Sequence, residues 1–126
     1  MSSIQVLSDQ HGFETWGNFP HESDRLKQLI VDSKANNVIL LSGDRHISEF
    51  SKEDIQGLNY PLIDFTSSGL THVYSDFNGE YNPHRLGKVI PKLSFGLLEF
   101  NFTSKEVTMK MVGNRSEIYQ QITEHY

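Results

Sequence analysis

Asp44 and His46 stand two positions apart directly after an apolar run, and a carboxylate and an imidazole at that spacing on an extended or turn backbone project to the same side. Such a pair can converge on one cation. A hard or borderline metal ion accepts the oxygen and nitrogen they offer, and Gly43 suits a sharp strand exit where backbone passes close to a ligand. An isolated Asp-x-His is short and common, however, and more often reads as a turn cap followed by a surface imidazole. Arg45, between the two, can offer its planar fork to a phosphate. Its place between two inward-pointing side chains aims it more naturally elsewhere, toward a carboxylate. Trp16 reads equally as a pocket wall and as a packing anchor. His21, His72 and His84 could each be a ligand, but exposed histidines are ordinary, and only His72, beside Thr66-Ser67-Ser68-Gly69, falls where strand ends should cluster; Asp9 and His11 read as loop polar residues that could line a pocket. Ser67 and Ser68 invite a serine-nucleophile reading, but no G-x-S-x-G elbow or paired base accompanies them.

These residues need elements to hold them. Ile4-Gln5-Val6-Leu7 reads as a strand feeding a loop with Asp9, His11, Glu14 and Trp16. Pro20 suits a first helical turn, Glu22 and Asp24 favour the positive end of a helix, and Leu26, Leu29 and Ile30 recur at the spacing of one apolar face. A helix over about residues 20 to 35 follows. Val38-Ile39-Leu40-Leu41 is continuously apolar, as in a strand covered on both faces, and is expected to form the core of the sheet. Ser51 to Glu53 fits a short helical turn. Pro61 to Thr66 reads as a further strand stopped by Ser67-Ser68-Gly69. From Val73 to Lys92 the turn residues Asn78, Gly79, Asn82, Pro83, Gly87 and Pro91 predict an extended surface excursion. The tail alternates: Gly96, Leu98, Phe100 and Phe102, then Val107, Met109 and Met111, predict a β-hairpin with the methionines on a core face. Ile118, Gln120 and Ile122 suit one face of a third strand, with a helix over residues 117 to 125 as the competing reading.

Composition narrows the classes. With 126 residues the chain makes one domain at most. A net charge of -5 and scattered acidic residues leave no basic stripe, so nucleic-acid binding is disfavoured. No apolar run approaches the roughly twenty residues of a membrane span, and the polar start lacks the regions of a secretory signal. The chain reads as soluble, its localisation and the export of any parent protein staying open. With no cysteine, a metal here would need His, Asp, Glu, Asn or backbone oxygen.

Four blocks in order give a more specific signal: Glu14-Thr15-Trp16-Gly17-Asn18-Phe19-Pro20, Leu41-Ser42-Gly43-Asp44-Arg45-His46, Phe65-Thr66-Ser67-Ser68-Gly69-Leu70-Thr71-His72, and Phe95-Gly96-Leu97-Leu98-Glu99. Together they resemble the C-terminal part of PhoD-like alkaline phosphatases, within the calcineurin-like metallophosphoesterases. The resemblance implies that Asp44 and His46 are metal ligands, and that Trp16, His11 and His72 lie along a substrate pocket. It also implies divalent or trivalent metals, with Ca, Fe, Zn and Mn as candidates, in a site that is dinuclear in the complete protein. An alternative alignment, with Asp9-Gln10-His11 as the superfamily's opening motif, fails at Ile47, where a carboxylate is needed, and at Arg115, where a histidine is needed.

The expected fold is α/β: a partial metallophosphoesterase β-sandwich with a covering helix and a C-terminal antiparallel β-meander, residues 1–126 forming one partial domain. The missing N-terminal half of the domain would supply the other ligands. The implied function is metal-dependent hydrolysis of phosphate mono- or diesters by the complete protein, with a phosphate ester as substrate and the isolated chain inactive. Bare apolar surface on half a sandwich predicts self-association of the isolated chain. The alternative is a non-catalytic α/β interaction or regulatory module.

Overall fold

The computed structural model describes all 126 residues. It is mostly strand, in two sheets with one helix. The first sheet holds β1 (Ile39–Ser42), β2 (Ser48–Glu53), β3 (Leu62–Ser67) and β4 (Arg85–Ile90), in the order β1-β3-β2-β4. β1 and β3 run parallel, and β2 is antiparallel to both of its neighbours. The second sheet is the meander β5 (Ser94–Asn101), β6 (Glu106–Gly113) and β7 (Ile118–His125). The alternating tail therefore pairs as expected, and the strand reading of residues 118 to 125 prevails over the helical one.

The sheets pack face to face through Phe50, Ile63, Phe65, Val107, Met109 and Met111, all essentially inaccessible. Phe50 and Phe65 lie 4.5 Å apart, centroid to centroid. On the other face of the first sheet, α1 (Pro20–Ser33) and the N-terminal segment form a smaller cluster of Val6, Leu7, Ile30 and Leu62. The result is three layers, helix and N-terminal segment, mixed sheet, and meander.

Pro20 occupies the start of α1, and Lys34 ends it in the left-handed conformation at φ 53°. Leu29 leaves the expected apolar face and is 62% exposed. The helix rests on the narrower stripe of Ser23, Leu26 and Ile30, and Lys27 on its flank pairs with Glu53 at 2.8 Å.

Four other expectations are corrected. Ile4 to Leu7 is no strand; its one β-bridge joins Gln5 to Thr15. The N–H groups of Val6 and Leu7 donate instead to the Asp64 carboxylate, at 2.8 and 3.0 Å, so a side chain replaces a ladder. Ser51 to Glu53 is strand, not helical turn, because Ser51, Lys52 and Glu53 pair with Asp64, Ile63 and Leu62. The excursion from Val73 to Lys92 contains β4, held to β2 with a register shift. Finally, β1 is an edge strand, and β3 and β2 are the strands with a partner on each side. Apolarity on both faces of a strand reports what lies above and below it, not what lies beside it.

Candidate functional site

Parallel β1 and β3 end together, and the turns that leave them meet. In the first turn Asp44 and His46 both take left-handed backbone conformations, at φ 72° and 53°, with buried Arg45 between them. Its folding is fixed by backbone: Arg45 N–H donates to Gly43 O at 2.9 Å, His46 N–H to Ser68 Oγ at 3.0 Å, and Tyr74 N–H to His46 O at 2.8 Å. The Asp44 and His46 side chains are exposed. The His72 ring, carried by the turn after β3, stands 6.0 Å from the His46 ring and tilted 31° to it. Thr71 Oγ1 lies 3.0 Å from His72 Nδ1.

Arg45 turns inward. Its NH2 group donates to both oxygens of Glu80 at 2.6 Å, and its guanidinium lies 4.1 Å from the centroid of the Phe13 ring. The side chain is thus committed to a carboxylate, as expected, but the directions are the reverse of those expected: Arg45 is buried, and Asp44 and His46, expected to point inward, are exposed. His11 is 8% exposed, with Nδ1 accepting from Phe13 N–H at 3.2 Å, so its Nε2 carries the proton of the neutral ring. Burial, and secondarily the Arg45 charge, lower the His11 pKa below the ordinary imidazole value. Trp16 lies apart from this turn. It packs beside the helix-side cluster and its Nε1 donates to Ser2 Oγ at 3.0 Å. His46 and His72 are brought together, His11 and Arg45 form a second, buried group beside Phe13, and Trp16 joins neither.

Behind the turn lies a buried polar network that residue types and spacing did not reveal. Gln5 Nε2 donates to Glu49 Oε1 at 2.6 Å and Thr66 Oγ1 at 2.8 Å. Arg85 Nε donates to Glu49 Oε2 at 2.8 Å, and Asn82 Nδ2 to Ser51 Oγ at 2.9 Å. Ser42 Oγ donates to Asp64 Oδ1 at 2.7 Å. One signal was available in the sequence. Asp64 interrupts a strand whose other residues are apolar or hydroxylated, and a charge at such a position needs a partner.

The turn does not by itself make a metal centre. Asp44 oxygen and histidine nitrogen suit a borderline divalent ion, yet nowhere do three His, Asp or Glu side chains gather closely enough to hold one. No helix is long and apolar enough to cross a membrane. No protein-family model matches this chain, and neither a curated protein nor a solved structure matches it significantly.

Proposed function

We propose that these residues form the C-terminal part of a metal-dependent phosphoric ester hydrolase of the PhoD-like kind, with Asp44 and His46 as metal ligands and His72 beside the substrate. One observation carries the reading: two turns leaving parallel strands converge, and the first holds two consecutive alternate residues, Asp44 and His46, in left-handed conformations. Strained, non-glycine positions of this type persist where surrounding structure over-determines them and concentrate at functional sites. Ligands in open α/β sheets likewise sit beyond the carboxyl ends of the strands. A bound metal would supply a hydroxide nucleophile at neutral pH and a clamp on the phosphoryl oxygens. This chain's part is to fix the turn. Ser68 and Tyr74 anchor its backbone through His46, while the Arg45–Glu80 pair roots it in the interior. The remaining ligands would come from residues outside 1–126.

The test is metal analysis and hydrolysis of bis-p-nitrophenyl phosphate by the full-length protein, compared with its Asp44→Asn variant. Asparagine tolerates positive φ, so the fold should survive unchanged in circular dichroism. Metal retention should be lost, and turnover should fall by about 100-fold or more, as expected when a ligand is removed. A variant that keeps its metal and full turnover defeats the assignment. A wild-type protein without metal or hydrolysis favours a non-catalytic module.

A further inference from the structure

The two sheets do not match in width. β5 lies over β3 and β2, and β7 against β4, so β1 projects one strand beyond the meander. Ile39 and Leu41, alternate residues of β1, point from this ledge into the sandwich interior and are only partly buried. The wall beside them is the free edge of β5. Two openings mark the step. One, of about 280 Å³, lies between Leu41 and Phe65 on one side and Gly96 and Leu98 on the other, with Met1 to Ser3 along its outer rim, where Ser2 N–H donates to Leu41 O at 2.8 Å. The second, of about 540 Å³, lies between Ile39 and Phe100.

The edge of β5 has unused backbone groups. Ser94 N–H donates away from β6, to Gly69 O at 3.0 Å, so Gly96, Leu98 and Phe100 aim their N–H and C=O the same way, where no strand follows. The β5–β6 register runs unbroken from Ser94 to Asn101, without the bulge or proline that usually blunts an exposed edge. Its one charge, Glu99, points to the opposite face and pairs with Lys110. The ionic lining of the groove is a single Lys105 and a single Glu106, which select no net charge.

We propose that this step is a strand-addition site, whose occupant is an uncharged, extended polypeptide segment of a partner, with apolar side chains at alternate positions. It would hydrogen-bond to Gly96, Leu98 and Phe100 and lay its apolar side chains on Ile39 and Leu41. The stagger argues against a second copy of this chain. Two-fold pairing of β5 with β5 would drive the partner's β3 into the space that β1 occupies. Because Gly43 lines the upper end of the groove, a docked strand would also brace the turn that carries Asp44. The inference does not depend on the hydrolase reading.

The probe is an acetylated, amidated, uncharged heptapeptide, Ser-Val-Thr-Val-Thr-Val-Ser, added to the 126-residue chain while amide exchange is followed by NMR. The peptide should slow exchange at Gly96, Leu98 and Phe100, and the same peptide N-methylated at its valines and threonines should not. Phe100→Lys, on the groove wall, should weaken binding by about tenfold, whereas Phe95→Lys, on the outer face, should leave it within about threefold. Absence of protection at millimolar peptide, equal protection by the methylated peptide, or a sedimenting dimer whose edge amides are already protected would each overturn the proposal. Metal binding by the full-length protein is read separately, so the two ideas fail independently.

Discussion

Asp64 is wholly buried in β3, and its carboxylate accepts from the N–H groups of Val6 and Leu7, which would otherwise be orphaned, and from the hydroxyl of Ser42, which also lies 3.0 Å from Thr66 Oγ1. Burial is the largest influence on its carboxyl and raises the pKa above the ordinary 3.8, against the opposing pull of those donors. The consequence for stability has a definite sign. Between 3.8 and the raised folded value the native state holds more protons than the unfolded state, so stability falls as pH rises through that window. Asp64→Asn should abolish this slope, because its oxygen still accepts from the two backbone groups and its amide can donate to Ser42. Asp64→Leu leaves the N–H groups of Val6 and Leu7 unpaired at about 1 to 3 kcal/mol each, while the Ser42 hydroxyl keeps Thr66 Oγ1 at 3.0 Å, so a loss of about 2 kcal/mol or more is expected. Urea denaturation of the three proteins at several pH values checks both. An Asn variant with the wild-type slope would show that the slope comes from another group.

The close approach of β5 to β3 depends on Gly96, where an added Cβ would stand 2.9 Å from Cε1 and Cζ of Phe65. Phe65 is itself wedged against Phe50, so it cannot yield. Gly96→Ala should therefore cost about 1 to 3 kcal/mol, seen as a lowered urea midpoint at unchanged slope, although alanine usually improves a strand over glycine. A neutral or stabilising result would mean that the sheets can part at this point. Glycine at this place was visible in the sequence only as one of an alternating series. What was legible there were elements whose local signals agree with their packing: the helix from Pro20, the apolar run at Val38 to Leu41, the strand from Leu62, and the meander with Met109 and Met111 inward. The rest depended on distant residues. Ile4 to Leu7 has a strand's composition, but the Asp64 carboxylate claims its N–H groups, and Ser51 to Glu53 has a cap's composition, but β3 supplies a ladder. Of the candidate site, the Gly43 to His46 turn and its nearness to His72 followed from strand ends clustering. The pairing of Arg45 with Glu80 rather than a nearer acid, and the burial of His11, required the path of a loop that no short-range pattern dictates.

The two sheets are consecutive in the chain, residues 1 to 90 forming the helix and mixed sheet and residues 94 to 125 the meander, which would allow them to unfold separately. Their packing argues otherwise. A three-stranded meander needs its apolar face covered, and the inner face, Val107, Met109 and Met111, is buried by Phe50, Ile63 and Phe65 of the other sheet, with Leu86 and Ile90 packed beside them. Polar ties cross the same boundary: Lys52 with Glu124 at 2.8 Å, Ser48 with Ser94 at 3.0 Å, and Gln120 Oε1 with Lys88 N–H at 2.7 Å. Unfolding should therefore be a single transition, with far-ultraviolet circular dichroism and Trp16 fluorescence coinciding although Trp16 belongs to the helix-side layer. Met109→Ala removes a side chain with no accessible surface from the centre of the sandwich and should cost about 2 to 5 kcal/mol. If the layers are coupled, that loss shifts the Trp16 signal and the circular dichroism signal by the same amount. A fluorescence midpoint that stays in place while the circular dichroism midpoint falls would mean that the helix-bearing sheet stands without the meander.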